Sequence, residues 1–272
     1  MTVVILDRTG PGGPLPYAAW LAEAGHELVL VTDTPGIHPD IAEVHALAGY
    51  PSSAAVETTV LDLAARHTLS AVVALHPADQ LRAAALRDTL GLPGQSREEA
   101  LVLADSVAAQ TWLRRAGLPV VERAGVRRVL DLYRAAHAWG YPLAVRRRRG
   151  PEREVVAVPD GEAALRAFIR GRQGGTAASA LAGLTVEPVR DGRRHQGAGL
   201  AVTDAVLSAL PLRAGHPYAV EAAYEAHGGW RIDSLRYRPG DLRAQTRAQA
   251  APLAPTVRTD MTVVSANTSE VA

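Results

Sequence analysis

The sequence predicts an α/β fold: a Rossmann-like parallel-sheet domain followed by a shorter α+β region. Three observations carry this reading. The apolar runs Val3-Val4-Ile5-Leu6, Leu28-Val29-Leu30-Val31 and Ala71-Val72-Val73-Ala74-Leu75 recur with helical segments between them. These runs are continuous rather than alternating, the pattern of strands covered by helices on both faces. Toward the end, Tyr218 to Tyr224 and Trp230 to Leu235 flank His227-Gly228-Gly229, which reads as an antiparallel hairpin.

Taken in order, the strand at Val3 to Leu6 runs into a turn-rich segment, Asp7 to Pro16. A helix over Pro16 to Ala24 stops at Gly25. Glu27 to Thr32 is a strand, Glu57 to Arg66 a helix, Ala71 to Leu75 a strand, and Ala78 to Leu90 a helix closed by Gly91. Residues 1–95 thus form the Rossmann-like domain. Ser96 and Glu99 are spaced as a capping box and start another helix. Asp105 to Ala116 is a helix, Val120 to Val126 a strand, Leu130 to Trp139 a helix, Tyr141 to Arg148 and Glu154 to Val158 strands, and Glu162 to Arg170 a helix. Residues 96–175 form a small α+β subdomain. A small-residue linker, Gly171 to Gly183, leads to a compact remainder, Leu184 to Asp241, and residues 176–241 form a shortened second subdomain. Residues 242–272 show no apolar periodicity and read as a disordered tail.

Composition narrows the function classes. Of 272 residues, 47% are hydrophobic and 21% charged, enough for a packed core, and the net charge of +1 gives no drive toward nucleic acid or anionic membranes. No run approaches the roughly 20 apolar residues that span a bilayer. The N-terminus reads as a strand and not as a secretory leader. With no cysteine, thiolate metal sites and disulfides are excluded, and a cytoplasmic setting is the expectation. All 29 basic residues are arginine. His195, His216 and His227 lack the spacing of a metal site and read as surface or turn residues.

The segment Arg8-Thr9-Gly10-Pro11-Gly12-Gly13-Pro14 follows a strand and precedes a helix, where backbone amides can hold an anion. Its glycines do not keep the dinucleotide spacing, and its two prolines remove donors, so a tight strand-end connection is the larger expectation.

Three ordered segments are more specific. Leu90-Gly91-Leu92-Pro93-Gly94 comes first. Ala104-Asp105-Ser106 follows, with Leu113-Arg114-Arg115-Ala116-Gly117-Leu118-Pro119-Val120 behind it. Gly140-Tyr141-Pro142-Leu143-Ala144-Val145-Arg146 is the third. In this order the chain resembles the ATP-grasp superfamily over about residues 1–241, in the branch of carboxylate–amine ligases related to biotin carboxylase and the amino-acid ligases. The resemblance implies two α+β subdomains that clasp ATP, the second of them shortened here. It implies chemistry in which ATP turns a carboxylate into an acyl phosphate that an amine then attacks, largely by positioning and charge neutralisation.

Residue by residue, the resemblance assigns roles and marks departures. The helix position that carries a phosphate-facing lysine is Ser106, expected as an exposed helix residue. The strand lysine is Arg146, which keeps the charge in a planar fork and is a candidate nucleotide ligand. A solvated basic edge strand, Arg146-Arg147-Arg148-Arg149, is the competing expectation. The glycine-rich phosphate loop is replaced by Gly150-Pro151-Glu152-Arg153-Glu154. Glu187 matches the carboxylate that meets adenosine, with Asp191-Gly192-Arg193 as the turn after it. Glu221 matches the first magnesium ligand. The second metal position falls on Ser234, or on Asp233 with a one-residue bulge, and Arg236 stands where an asparagine ligand belongs. Arg238 matches the arginine that faces phosphate or substrate.

ATP and magnesium are therefore the implied cofactors, with weakened or lost catalysis as the expected outcome of the substitutions. The competing expectation is a non-catalytic small-molecule-binding or partner-binding pseudo-ligase. The expected partners are a small-molecule carboxylate or an active partner ligase, with a homodimer as a further expectation, and neither nucleic acid nor membrane.

Overall fold

A computed structural model of the chain describes residues 1–8, 15–22, 25, 27–36, 38, 41, 43–149, 153–172, 181–189, 194–196, 206, 209, 215–225, 229–238 and 240–251. Most of the glycine-rich segment after residue 8, most of the linker 171–183, residues 150–152 of the substituted loop, the 191–193 turn, His227 and residues 252–272 lie outside the described residues. No described helix is long and apolar enough to cross a membrane.

The chain divides into two compact units. The first holds residues 1–104 with the described parts of 211–218 and 237–251. Its parallel sheet has the order β3-β2-β1-β4, from β1 Thr2–Asp7, β2 Glu27–Thr32, β3 Glu43–Ala46 and β4 Leu69–Ala74. The register sets Val4 between Val29 and Val72. Alternation along each strand sends side chains to two cores. Val4, Leu6, Val29, Val31 and Val72 pack with Val56, Val60 and Leu63 of α2 (Ala55–Arg66) and Leu86 of α3 (Gln80–Leu90). Val3, Ile5, Leu30 and Val73 pack with Tyr17 and Leu21 of α1 (Tyr17–Leu21). Two-sided burial explains why these strands read as continuous apolar runs.

α3 is preceded by a 3₁₀ turn, Pro77–Asp79, and closed by Gly91 at φ 65°, a left-handed position that glycine adopts without strain. α4 (Arg97–Ala104) begins with the predicted capping box: Ser96 N–H donates to Glu99 and Glu99 N–H to the Ser96 hydroxyl. α4 packs against α3, and the first compact unit runs through residue 104.

The second unit holds the described residues of 105–210 and 219–236. Its first elements are α5 (Ser106–Arg115), β5 (Ala124–Val126) and α6 (Val129–Trp139). β6 (Leu143–Arg147), β7 (Val155–Ala157), α7 (Glu162–Gly171) and β8 (Leu184–Pro188) follow. The antiparallel sheet has the order β5-β8-β6-β7. Leu143, Val145, Leu184 and Val186 pack with Leu132 of α6 and with Leu165 and Ile169 of α7. Alternation then turns Ala144, Arg146, Thr185 and Glu187 to the other face.

A second sheet, order β11-β10-β9, comprises β9 (Arg194–Gln196), β10 (Tyr218–Glu225) and β11 (Gly229–Tyr237). Its last two strands are those of the expected hairpin. Ile232 of β11 bridges to Val120 in parallel.

Three expectations are corrected. Residues 242–250 are not part of an unstructured tail. They form α8 (Leu242–Ala250), capped by Asp241, whose side chain accepts from Ala244 N–H. The buried side of α8 is Gln245, Thr246, Gln249 and Ala250, so no apolar periodicity marks it. β6 is an inner strand, not a solvated basic edge. His216 is 3% exposed, its Nδ1 lying 3.1 Å from Gln80 Oε1, rather than on the surface.

Candidate functional site

The second unit concentrates charge on the sheet face opposite α6 and α7. Arg146 and Glu187 reach this face because each lies one residue from a core position on its strand, and the register sets Ala144 beside Glu187 and Arg146 beside Thr185. Arg146 crosses diagonally, and its Nε donates to Glu187 Oε1 at 2.5 Å.

Glu187 is shared further. Arg123, from the segment entering β5, donates Nε to Glu187 Oε2 at 2.9 Å and Nη2 to Asp233 Oδ1 of β11 at 2.6 Å. Its Nη1 donates to the Asp233 carbonyl at 3.0 Å. Arg153 donates Nη2 to Glu187 Oε2 at 2.7 Å and Nη1 to Asp233 Oδ1 at 3.4 Å. Arg123, Arg153, Glu187 and Asp233 are each no more than 6% exposed, while the Arg146 side chain is 14% exposed. Burial alone would raise the Glu187 carboxyl, but Arg123, Arg153 and Arg146 together hold it below the usual carboxylate range. Burial, and then the neighbouring Arg153, lower the Arg123 guanidinium against the pull of both carboxylates.

The other arginines of the basic run are also placed. Arg147 Nε donates to Glu154 at 2.9 Å. Arg148 Nε sits 2.9 and 2.8 Å from the two oxygens of Asp105, and Arg149 Nε is 3.4 Å from Asp105. Asp105 also caps α5, accepting from Val107 and Ala108 N–H. Burial opposes its ionised form, yet the Arg148 bond and these amides keep its carboxyl below the ordinary value. Ser106 is 8% exposed and donates its hydroxyl to the Arg148 carbonyl, which corrects its expected exposure.

On the last strand pair, Glu221 accepts from the Ser234 hydroxyl at 2.5 Å and from Arg236 Nη2 at 2.9 Å. Ser234 and Arg236 share one face of β11, and Asp233 lies on the other. The structure therefore brings Arg146, Glu187 and Asp233 into one cluster and sets Glu221 on the opposite face from Asp233. Arg238 belongs to the first unit, is exposed, and its backbone N–H donates to the Pro217 carbonyl. Sequence reasoning missed Arg123 altogether and took Arg153 only as part of a substituted loop. Their partners lie 34 to 110 residues away, and no local spacing signals such pairs.

The parallel-sheet unit and the following α+β unit are those of the ATP-grasp fold. This chain is similar to an L-amino acid ligase from Bacillus licheniformis, at TM-score 0.65 and 16% identity over 93% of this chain and 74% of that one. It is also similar to the biotin carboxylase domain of a Hydrogenobacter thermophilus 2-oxoglutarate carboxylase, solved as a dimer with MgADP and bicarbonate (TM-score 0.67, 14% identity, 96% of this chain and 71% of that one). A third is N5-carboxyaminoimidazole synthetase from Staphylococcus aureus, solved with ADP (TM-score 0.60, 12% identity, 93% of this chain and 78% of that one). No protein-family model matches the sequence, and a search of curated proteins finds no match.

Proposed function

We propose that this chain is a relative of the ATP-dependent carboxylate–amine ligases in which acyl-phosphate chemistry has been lost. In this reading it acts in the cytoplasm as a pseudo-ligase, binding a small carboxylate or an active partner ligase, with a homodimer as its assembly. The observation that carries the reading is the closed ion-pair cluster of Arg123, Arg146, Arg153, Glu187 and Asp233. Each side chain that the family pattern assigns to nucleotide or metal in this cluster is already bound to a neighbour of opposite charge.

The residues present do not fit magnesium and ATP in the family manner. Magnesium is held by carboxylate oxygens with near-octahedral geometry. Here Glu221 is bound by a hydroxyl and a guanidinium, and Asp233 points to the other face of β11, into two arginines. An arginine beside each carboxylate opposes a divalent cation. Arg146, which stands at the position of the strand lysine, has its Nε on Glu187.

The test is phosphate release from ATP and Mg²⁺ with a panel of amino acids and other small carboxylates. No substrate-dependent release is expected. Release stimulated by one carboxylate–amine pair would overturn the reading in favour of a working, arginine-based ligase.

A further inference from the structure

We propose that Glu187 and Asp233 form a guanidinium-recognising site, and that its occupant is the chain's own Arg153. The proposal stands on the geometry of the pair and does not depend on whether the chain has lost ATP chemistry.

The same two oxygens, Glu187 Oε2 and Asp233 Oδ1, are bridged twice. Arg123 Nη2 lies 2.8 and 2.6 Å from them, and the terminal nitrogens of Arg153 lie 2.7 and 3.4 Å from them. Two carboxylates facing a planar fork are the arrangement that guanidinium fits better than a compact ammonium. Both carboxylates are almost wholly withdrawn from water, so each vacated acceptor position costs more than it would on a surface.

The two arginines are held differently. Arg123 has a further anchor in the Asp233 carbonyl. Arg153 has its Nε buried without a hydrogen-bond partner, so its fork is held by the carboxylates. Its backbone stands at φ 45°, in the left-handed region that non-glycine residues occupy at a cost. A strained backbone position persists where surrounding contacts over-determine it, and here those contacts are the two ion pairs together with Arg146 Nη1, which donates to the Arg153 carbonyl at 3.4 Å. Arg153 thus behaves as a tethered ligand whose linkage gives it a high effective concentration at its site.

The shape of the acceptor pair sets the ligand class, and charge narrows it. In the buried set, Arg123 and Arg153 balance Glu187 and Asp233, while Arg146 is partly open to water. Without Arg153, Glu187 keeps Arg123 and Arg146 and Asp233 keeps Arg123, while the buried acceptor positions that Arg153 filled are vacated. A planar cation with two N–H donors refills those positions, and a divalent ion would place two charges beside Arg123 and Arg146.

The test uses the full chain carrying Arg153→Ala. Its melting point should fall below that of the wild type. Guanidinium chloride at about 20 mM should raise it saturably by about 2 °C or more, where equal concentrations of tetramethylammonium chloride or MgCl₂ do not. The wild type, its site filled, should show no such rise, and adding Glu187→Gln to the variant should abolish it. Arg153→Lys keeps the charge without the fork and should melt below wild type without responding to guanidinium. The proposal is overturned if Arg153→Ala melts as the wild type does, or if Mg²⁺ rescues as well as guanidinium. It is equally overturned if guanidinium restores neither the melting point nor the yield of soluble refolded protein.

Discussion

The parallel-sheet unit and the second unit both bury arginine, with different companions. In the first, Arg87 is 1% exposed and held by neutral groups: Nε and Nη2 donate to the Val72 carbonyl at 3.0 and 2.7 Å, and Nη2 to Gln249 Oε1 at 3.2 Å. Burial pushes its guanidinium down to about 10. In the second, Arg123 and Arg153 are held by two carboxylates. The difference follows from position. Val72 belongs to β4, at the end of the sheet order, so its outward backbone groups need partners. Arg87 supplies one, and Gln249 of α8 accepts the Ala74 N–H at 3.0 Å. Arg87 therefore caps a sheet edge, whereas Arg123 and Arg153 act as counter-ions. The first role depends on hydrogen-bond geometry, and the second on charge.

Substitutions can break this contrast. The largest loss is expected for Glu187→Ala, which removes a carboxylate shared by three guanidiniums and leaves two of them on Asp233. Breaking a buried pair from one side costs about 3–5 kcal/mol, measurable by urea unfolding. Arg87→Leu should cost less, on the order of 1–3 kcal/mol, because the orphaned Val72 carbonyl is offset by the relief of a buried charge that has no carboxylate beside it. A loss at Arg87 equal to that at Glu187 would erase the distinction between edge cap and counter-ion.

Acid sharpens it further. Glu187 has a depressed folded value, so its stabilising effect is fully present above its unfolded value of 4.5 and is lost as pH falls through the folded value. Below pH 4.5 the wild type should lose stability more steeply than Glu187→Gln, and parallel acid-unfolding curves would show that the cluster is not held by charge. Arg87→Leu should leave the wild-type acid profile unchanged in shape. The smallest effect is expected for Glu221→Gln, because the Glu221 and Arg236 side chains are 18% and 30% exposed and a glutamine oxygen can still accept from the buried Ser234 hydroxyl: about 0–1 kcal/mol by thermal melting.

Legibility in the sequence follows the same division between local and distant causes. β2 matches its expected bounds, and α3 and α6 were readable because apolar runs, capping residues and Gly91 are local signals. β3, Glu43–Ala46, was missed because three partly buried residues and an exposed alanine carry no apolar run. α8 was missed because its buried side is made of glutamine and threonine, which bond Gly215, Tyr237 and Leu242 rather than pack as hydrocarbon. At the candidate site, motif spacing located Arg146 and Glu187, and their direct pairing follows from strand register. The grouping of Arg123, Arg153 and Asp233 depends on where distant segments meet, and no periodicity records that. Glu221 and Asp233 were paired by motif alignment, yet a strand period of two sends Asp233 and the Ser234 partner of Glu221 to opposite faces.

The proposed loss of ATP chemistry rests on charged positions of an ATP-grasp fold that pair with one another in an internal cluster. Thermal melting of the wild-type chain across millimolar ATP with Mg²⁺ tests it most directly. No shift is expected. A saturable rise would show that the site still takes nucleotide, since a ligand present at 100 times its Kd stabilises by about 2.7 kcal/mol.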